Sequence, residues 1–311
     1  MNSGLQVIID WFQFTIKELK VEDVIIDVLY MNLDDFVEVE KGNLGYKKQK
    51  ICGNIRILYD GTENMGIHVI ITGKGCREYE EKNDILELID RINGYDGKIS
   101  RIDVAIDDET GKIIPFEKII QDVREGNIVS RWRSSVEIIK RDIQKRKKTG
   151  QTVMLGSRKS DICMRIYDKA LEQGKKAEKW TRMEIEFKGK KAKAMQNILI
   201  FHECEIGEII SKIVNNYVRF VEKSKDKNKS RWKTKRYWKN IVKETGRLSL
   251  TRKPEKKTVA DVRNWVRKQV SPSLAVLLLD AGGDIKSILG IISEGKTRLK
   301  TKHLNMLRGG K

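Results

Sequence analysis

A chain of 311 residues is long enough to bury a large core in about two domains, and its 63 Lys and Arg against 44 Asp and Glu give a net charge of +19. That excess points to a polyanionic partner and is concentrated at one end: residues 221–311 carry 25 cationic against 8 acidic side chains, net +17, whereas residues 1–220 carry +2. No run approaches the roughly 18 apolar residues of a membrane helix, the N-terminus lacks a signal-peptide layout, and Cys52, Cys76, Cys163 and Cys204 show no C-x-x-C spacing, so a reduced cytoplasmic protein is expected rather than a membrane protein, a disulfide framework or a zinc fold.

Val7–Ile16 reads as a first strand centred on Asp10-Trp11-Phe12, and Val21–Leu29 as a helix. Ile55–Tyr59 and Ile67–Thr72 form an expected hairpin through Asp60-Gly61, a dipeptide that favours a tight turn. The segment Thr72-Gly-Lys-Gly-Cys-Arg77 follows. Its two glycines beside Lys74 and Arg77 would let a phosphate reach backbone amides, or would simply make a turn. A helix over Asp84–Ile92, a strand over Ile99–Asp107 and a helix over Pro115–Glu125 come next. Arg131–Lys148 is densely basic, part strand and part exposed loop. A strand carrying Tyr167, a helix over Ala170–Lys179, a strand carrying Glu184 and a helix over Lys190–Phe201 complete the pattern. The predicted fold is therefore α+β: antiparallel sheets with helices packed on one face, repeated twice within residues 1–220.

Beyond Phe220 the composition shifts. Ser224–Ser230 reads as a solvated linker, and Trp232, Tyr237 and Trp238 interleave with Lys233, Lys235, Arg236 and Lys239. Cations among aromatics suit phosphate contacts with base stacking, and equally suit an amphipathic helix whose rings pack on a core. Residues 258–268, 272–281 and 284–293 read as short helices, the second opened by Ser271-Pro272. Residues 221–311 are thus expected to be a basic helical region that binds DNA or a partner.

Three strands alternate in a way that concentrates charge. Ile162, Met164 and Ile166 oppose Asp161, Cys163, Arg165 and Tyr167; Ile102, Val104 and Ile106 oppose Arg101, Asp103, Ala105 and Asp107; Met183, Ile185 and Phe187 oppose Arg182, Glu184, Glu186 and Lys188. Each strand alone is explained by one solvated face. Together, with aspartates that strands disfavour, they suggest that the polar faces converge on a site. Tyr167 is the candidate nucleophile. His68, His202 and His303 are isolated in the sequence, and a lone His on a strand is usually packed or solvated.

Asp10-Trp11-Phe12, His68–Gly73 with Gly75-Cys76-Arg77, Ser100–Asp108, Leu155-Gly-Ser-Arg-Lys-Ser160, Arg165-Ile-Tyr-Asp-Lys169 with Glu172-Gln173, and Arg182–Glu186 form an ordered set over nearly the whole chain. This set resembles the replication initiation factor family, which includes rolling-circle plasmid initiators and relaxases of integrative conjugative elements. Lys268–Ala275 and Lys302-His-Leu304 look like the tail of its Gram-positive members. The resemblance implies site-specific nicking and closing of one strand of origin DNA through a 5′-phosphotyrosine on Tyr167. It also implies a divalent ion, Mg²⁺ or Mn²⁺, at Asp103 with Glu184 or Glu186. A two-histidine metal motif is missing, which fits a carboxylate-rich site.

A tyrosine needs help in that role, because its phenol ionises near pH 10 and the scissile phosphodiester is an anion. A metal ion would neutralise the phosphate as a Lewis acid, and Arg165 or Arg101 would add positive charge. Arg158, Lys159, Lys74, Arg77, Trp232, Lys233, Lys235 and Arg236 are candidate DNA contacts. Expected partners are duplex origin DNA, single-stranded DNA at the nick, a host helicase and a second copy of the chain. The competing readings are a non-catalytic DNA-binding regulator with structural carboxylates, and a tyrosine recombinase; the last tyrosine, Tyr237, lacks the histidines a recombinase would place around its nucleophile.

Overall fold

The computed structural model describes residues 5–174, 179–201, 206–247, 259, 262–263, 266–297 and 299. Twelve strands are described: β1 (Leu5–Ile16), β2 (Val37–Val39), β3 (Lys48–Cys52), β4 (Ile55–Tyr59), β5 (Ile67–Ile71), β6 (Lys98–Asp108), β7 (Ile128–Ser130), β8 (Ser135–Asp142), β9 (Lys147–Leu155), β10 (Ile162–Asp168), β11 (Thr181–Lys188) and β12 (Val218–Phe220). Ten of them make one continuous antiparallel sheet in the order β2-β3-β4-β5-β1-β6-β11-β10-β9-β8, and β12 and β7 pair separately.

The expected repetition exists as two halves of that single sheet. In each half a long strand, β1 or β6, is followed by a helical segment and a four-strand meander whose last strand, β5 or β11, returns to pair with the first. The two long strands pair with each other at the seam. After the first half come α2 (Gly73–Glu80) and α3 (Ile85–Gly94); after the second, α6 (Gly189–Phe201) and α7 (Ile206–Tyr217). The crossing segments are α1 (Val21–Asp23), which runs into a π-helical turn at Val24–Val28, and α4 (Phe116–Arg124). Period-two alternation gives the sheet one apolar face. Phe12, Phe14, Val104, Met164, Ile166, Met183 and Ile185 bury there against Leu88, Ile92, Ile119, Ile120, Met195 and Ile210 of the helices.

Two local expectations change. The connection from β4 to β5 spans residues 60–66, with Asp60 at φ +57° and Gly66 at φ +68° left-handed at its two ends; the two-residue turn lies one strand earlier, at Gly53-Asn54 between β3 and β4. The helix expected over Ala170–Lys179 is one turn, α5 (Lys169–Glu172), capped by Asp168 and ended by Gly174 at φ +73°; residues 175–178 lie outside the described residues.

Contacts divide the chain into two compact units, Met1–Arg252 and Lys253–Lys311. The first therefore extends past the expected boundary at residue 220, because α8 (Arg236–Thr245) buries Trp238 and Ile241 completely, with the Trp238 ring 4.9 Å from that of Phe220. In the second unit α9 (Ser271–Asp280) has Pro272 in its first turn and α10 (Ile285–Thr297) follows it. Of the helix expected over 258–268, residues 258, 260, 261, 264 and 265 lie outside the described residues, as do His202, Cys204 and His303, and its end is a π-helical turn at Val266–Val270.

Candidate active site

The face of the sheet opposite the helices differs between the halves. In the first, Tyr46, Leu58 and Ile70 form a small second core with Trp11 and Met65 over the strands. In the second, adjacent strands set charged residues side by side. Register pairs Asp103 with Glu186 and Asp107 with Arg182 across β6 and β11, and pairs Glu184 with Arg165 and Arg182 with Tyr167 across β11 and β10. Directly paired residues share a face, so the three polar faces converge as the alternation predicts.

Tyr167 is largely buried, and its hydroxyl donates to Glu184 Oε2 at 3.1 Å. The other Glu184 oxygen accepts from the Arg165 guanidinium. The Lys169 ammonium lies 5.6 Å from the Tyr167 ring centre. Burial, followed by the nearby Glu184 carboxylate, holds the phenol well above its ordinary pKa. The hydroxyl is thus protonated at neutral pH and hydrogen-bonded to a carboxylate able to take its proton.

Arg101 chelates Asp103 at 2.9 and 2.5 Å and reaches Glu186 at 2.8 Å, while its guanidinium stacks 4.7 Å above the Trp11 ring. Lys188 binds the other Glu186 oxygen at 2.7 Å. Burial pushes the Asp103 carboxyl up to about 7 against the pull of Arg101, with Glu184 and Glu186 adding to the rise. Glu186 goes the opposite way: burial would raise it, but Lys188 and Arg101 together hold it below the ordinary carboxylate range. Three carboxylates on neighbouring strands supply the hard oxygen donors that Mg²⁺ and Mn²⁺ prefer. As arranged here, their charge is balanced by Arg101, Arg165 and Lys188, and no group of three or more His, Cys, Asp or Glu among the described residues is set to hold a metal ion.

A second ionic cluster flanks the tyrosine and is absent from the sequence-based site. Arg182 makes two 2.7 Å bonds to Asp107 and one of 2.8 Å to Asp10, and the Trp180 indole donates to Asp107 at 2.8 Å. The alternation that places Glu184 on the polar face also places Arg182 there, so this signal was present. Asp10 arrives through a bulge: the pairing of β1 with β6 shifts between Ile9 and Trp11.

The expected DNA contacts scatter. Arg158 and Lys159 are exposed in the turn before β10, at the end of that strand away from Tyr167, where the Arg158 carbonyl accepts from Lys188. Lys74 is exposed in the first turn of α2. Arg77 is structural, donating to the Ile9 carbonyl at 2.5 Å and pairing with Glu80. The glycines beside them serve close approach, since a Cβ at Gly73 would sit 2.8 Å from the Asp10 carbonyl oxygen and one at Gly75 2.6 Å from that of Asn54. Lys235 forms a 2.5 Å pair with the buried Asp122, which also accepts from the Tyr237 hydroxyl at 2.7 Å. Trp232 is tied by its indole to the Asp226 carbonyl and Lys233 pairs with Glu222. Arg236 opens α8. His68 exchanges a 2.8 Å hydrogen bond with Thr15, and burial lowers its pKa.

Residues 97–290 match the family model described as replication initiation factor, and residues 6–88 match that of the rolling circle replication initiation protein N-terminal domain. A Bacillus subtilis (strain 168) protein named as a putative DNA relaxase, NicK, is 28% identical over 321 residues, covering 99% of this chain and 90% of its own length. The structure of a rolling circle replication initiator protein from Geobacillus stearothermophilus superposes with a TM-score of 0.76 at 30% identity, over 81% of this chain and 100% of that one. One sheet in two like halves, an open polar face in the second, and family matches over both halves agree: the chain belongs to the replication initiation factor family.

Proposed function

We propose that this chain nicks and rejoins one strand of origin DNA, with Tyr167 as the nucleophile. The carrying observation is the 3.1 Å hydrogen bond from the Tyr167 hydroxyl to Glu184 on the open face of the sheet. The phenolic oxygen attacks phosphorus as its proton passes to Glu184, the bond from phosphorus to the 3′ oxygen breaks, and that oxygen leaves as a 3′-hydroxyl after taking up a proton. The product is a 5′-phosphotyrosine, which retains the ester so that the 3′-hydroxyl can reverse the step and close the strand. Arg165, two residues before Tyr167 on the same face of β10, is positioned to bind a phosphate oxygen when it turns from Glu184, and Arg101 does the same from Asp103.

Asp103 with Glu184 or Glu186 would hold Mg²⁺ or Mn²⁺, which when bound neutralises charge on the phosphate as a Lewis acid. The observation favouring a cation there is geometric: Asp103 and Glu186 stand side by side across β6 and β11 and share Arg101, with Glu184 two residues before Glu186 on the same face. Duplex origin DNA is the substrate in this reading, the exposed strand at the nick is its product, and a host helicase and a second copy of the chain are partners that extend the reaction.

The decisive experiment uses a supercoiled plasmid bearing the cognate origin. Tyr167→Phe removes only the phenolic oxygen and should abolish both nicking and the covalent adduct while duplex affinity stays within about twofold. An adduct that persists in Tyr167→Phe moves the nucleophile to another tyrosine. Tyr79 would be the next to test from the sequence, but it is fully buried with its hydroxyl bonded to the Leu29 carbonyl.

A further inference from the structure

We propose that the β8–β9 hairpin is a DNA-gripping ribbon that seats duplex beside the nucleophile; this rests on the nicking reading above. Pairing of β9 with β10 stops at Thr152, which lies opposite Tyr167, whereas β8 and β9 continue together from Ile138 and Thr152 out to Asp142 and Lys147. Four residues of strand project about 13 Å, so a two-stranded ribbon without a third strand springs from the strand position next to the tyrosine. Its outer edge, β8, is also the end of the sheet.

The chemistry of the ribbon is that of a nucleic-acid contact. Lys140, Arg141, Lys145, Arg146 and Lys147 are all exposed around one turn. The acid nearest the tip, Asp142, accepts from the Lys145 backbone amide at 2.9 Å and so shapes the turn. Arg141 stands directly opposite Lys148. Like charges facing across a ladder are destabilising, and an isolated two-stranded hairpin is marginal in water. Lys148 is already countered, by Gln151 at 2.6 Å and Glu117 at 3.8 Å, which leaves Arg141 and the cations of the turn to a polyanion that would also brace the ribbon. At the apex Ile143 is 89% exposed, the most exposed of the large apolar side chains among the described residues. The major groove of B-DNA admits a two-stranded ribbon, and an apolar tip between cations is the form of side chain that enters grooves and loosens base steps.

A solvated charged hairpin would explain the lysines but not Ile143. A sheet-edge contact with a second copy would use β8 rather than the turn. The occupant favoured by charge complementarity and by continuity with the Tyr167 strand is duplex DNA flanking the scissile phosphate.

The test compares the full chain with Lys145→Gln/Arg146→Gln/Lys147→Gln and with Ile143→Ser, using a fluorescent 30-bp DNA duplex at a series of NaCl concentrations. Each phosphate contact contributes roughly −0.9 to the slope of log K against log salt, so the triple variant should flatten the slope by about 2 to 3. Ile143→Ser should weaken duplex binding roughly tenfold, the order expected for losing one buried isoleucine contact, without changing the slope. Both variants should form the covalent adduct on a single-stranded oligonucleotide spanning the nick site at the wild-type rate. An unchanged duplex slope in the triple variant overturns the ribbon, and so does a variant that merely shifts from dimer to monomer by sedimentation while binding duplex like wild type. Wild-type protein that forms no adduct on the oligonucleotide refutes the nicking reading instead, whatever the slopes.

Discussion

Glu184→Gln tests the chemistry at one atom. Glu184 is only 3% exposed and divides its two oxygens between the Tyr167 hydroxyl and the Arg165 guanidinium. Glutamine keeps the size and one acceptor but cannot take a proton at neutral pH, and its amide nitrogen must face one of two donors. Loss of a positioned general base costs about 10² to 10⁴ in rate, or about 3 to 5 kcal/mol of barrier. Single-turnover adduct formation on a single-stranded oligonucleotide spanning the nick site, at saturating Mg²⁺ or Mn²⁺, measures the step without product release. Oligonucleotide affinity, read by anisotropy, should stay within about threefold, since phosphate contacts from other residues carry it. A Glu184→Gln rate within about threefold of wild type would falsify the assignment, because no base contribution that small is worth naming. Recovery of the rate at higher metal concentration would instead make Glu184 a metal ligand and not the proton acceptor.

The neighbouring cluster predicts a stability effect. Arg182→Met leaves buried Asp107 and partly buried Asp10 without their shared cation, which costs about 3 to 5 kcal/mol and should lower Tm by roughly 10 °C; adding Asp107→Leu, which removes the buried one of the two charges, should recover most of it, and a single variant melting within about 2 °C of wild type would remove the cluster from the stability argument. Asp103 carries a raised carboxyl, at about 7, so the folded state keeps a proton that the unfolded chain releases near 3.9. Its contribution to stability is therefore complete below about pH 4 and lost as pH rises to about 7, and urea midpoints should fall across that window in wild type but less so in Asp103→Asn. Truncation after Arg252 should leave the melting of the first unit unchanged, whereas truncation after Phe220 removes Trp238 from the core, a loss of about 3 to 5 kcal/mol for that side chain alone; equal melting of the two truncations would contradict the packing of α8.

Strand faces were the most legible feature of the sequence, because period two is enforced by backbone geometry and needs no knowledge of partners. That is why Arg165 and Tyr167, Asp103 and Asp107, and Arg182 through Glu186 could be grouped before any pairing was known. Pairing itself was not legible: nothing local says that β11 returns to β6, or that both halves share one sheet. Nor does a charge pattern reveal where ions are neutralised. Lys235 and Arg77 looked like free cations, yet the first closes on buried Asp122 and the second on the Ile9 carbonyl. Trp238 lay among basic residues that made a DNA surface as plausible as a core helix, and the pairing of its ring with Phe220 decided between them. Arg131–Lys148 read as part strand and part loop for a physical reason as well: at its far end the strands continue without a third to cover them.

The bulge in β1 alters how many side chains one strand can deliver. A regular strand turns alternate residues to a face, so Ile9 in the core would leave either position 10 or position 11 toward the active site, never both. The extra residue between the paired positions Ile9 and Trp11 lets Asp10 reach Arg182 at 2.8 Å while Trp11 lies beneath Arg101. One strand of the closed half thereby touches both arginine clusters of the open half, a polar tie on the face opposite the core that the two halves share. Removing the residue is then a different injury from removing its charge. Asp10→Ala deletes one ionic partner and keeps the bulge, whereas excising Asp10 removes the bulge itself: Ile9 stays opposite Val104 and Trp11 opposite Asp103 in one regular ladder, so Val7 and Ile9 keep their core places while the local bend and the bond to Arg182 are lost together.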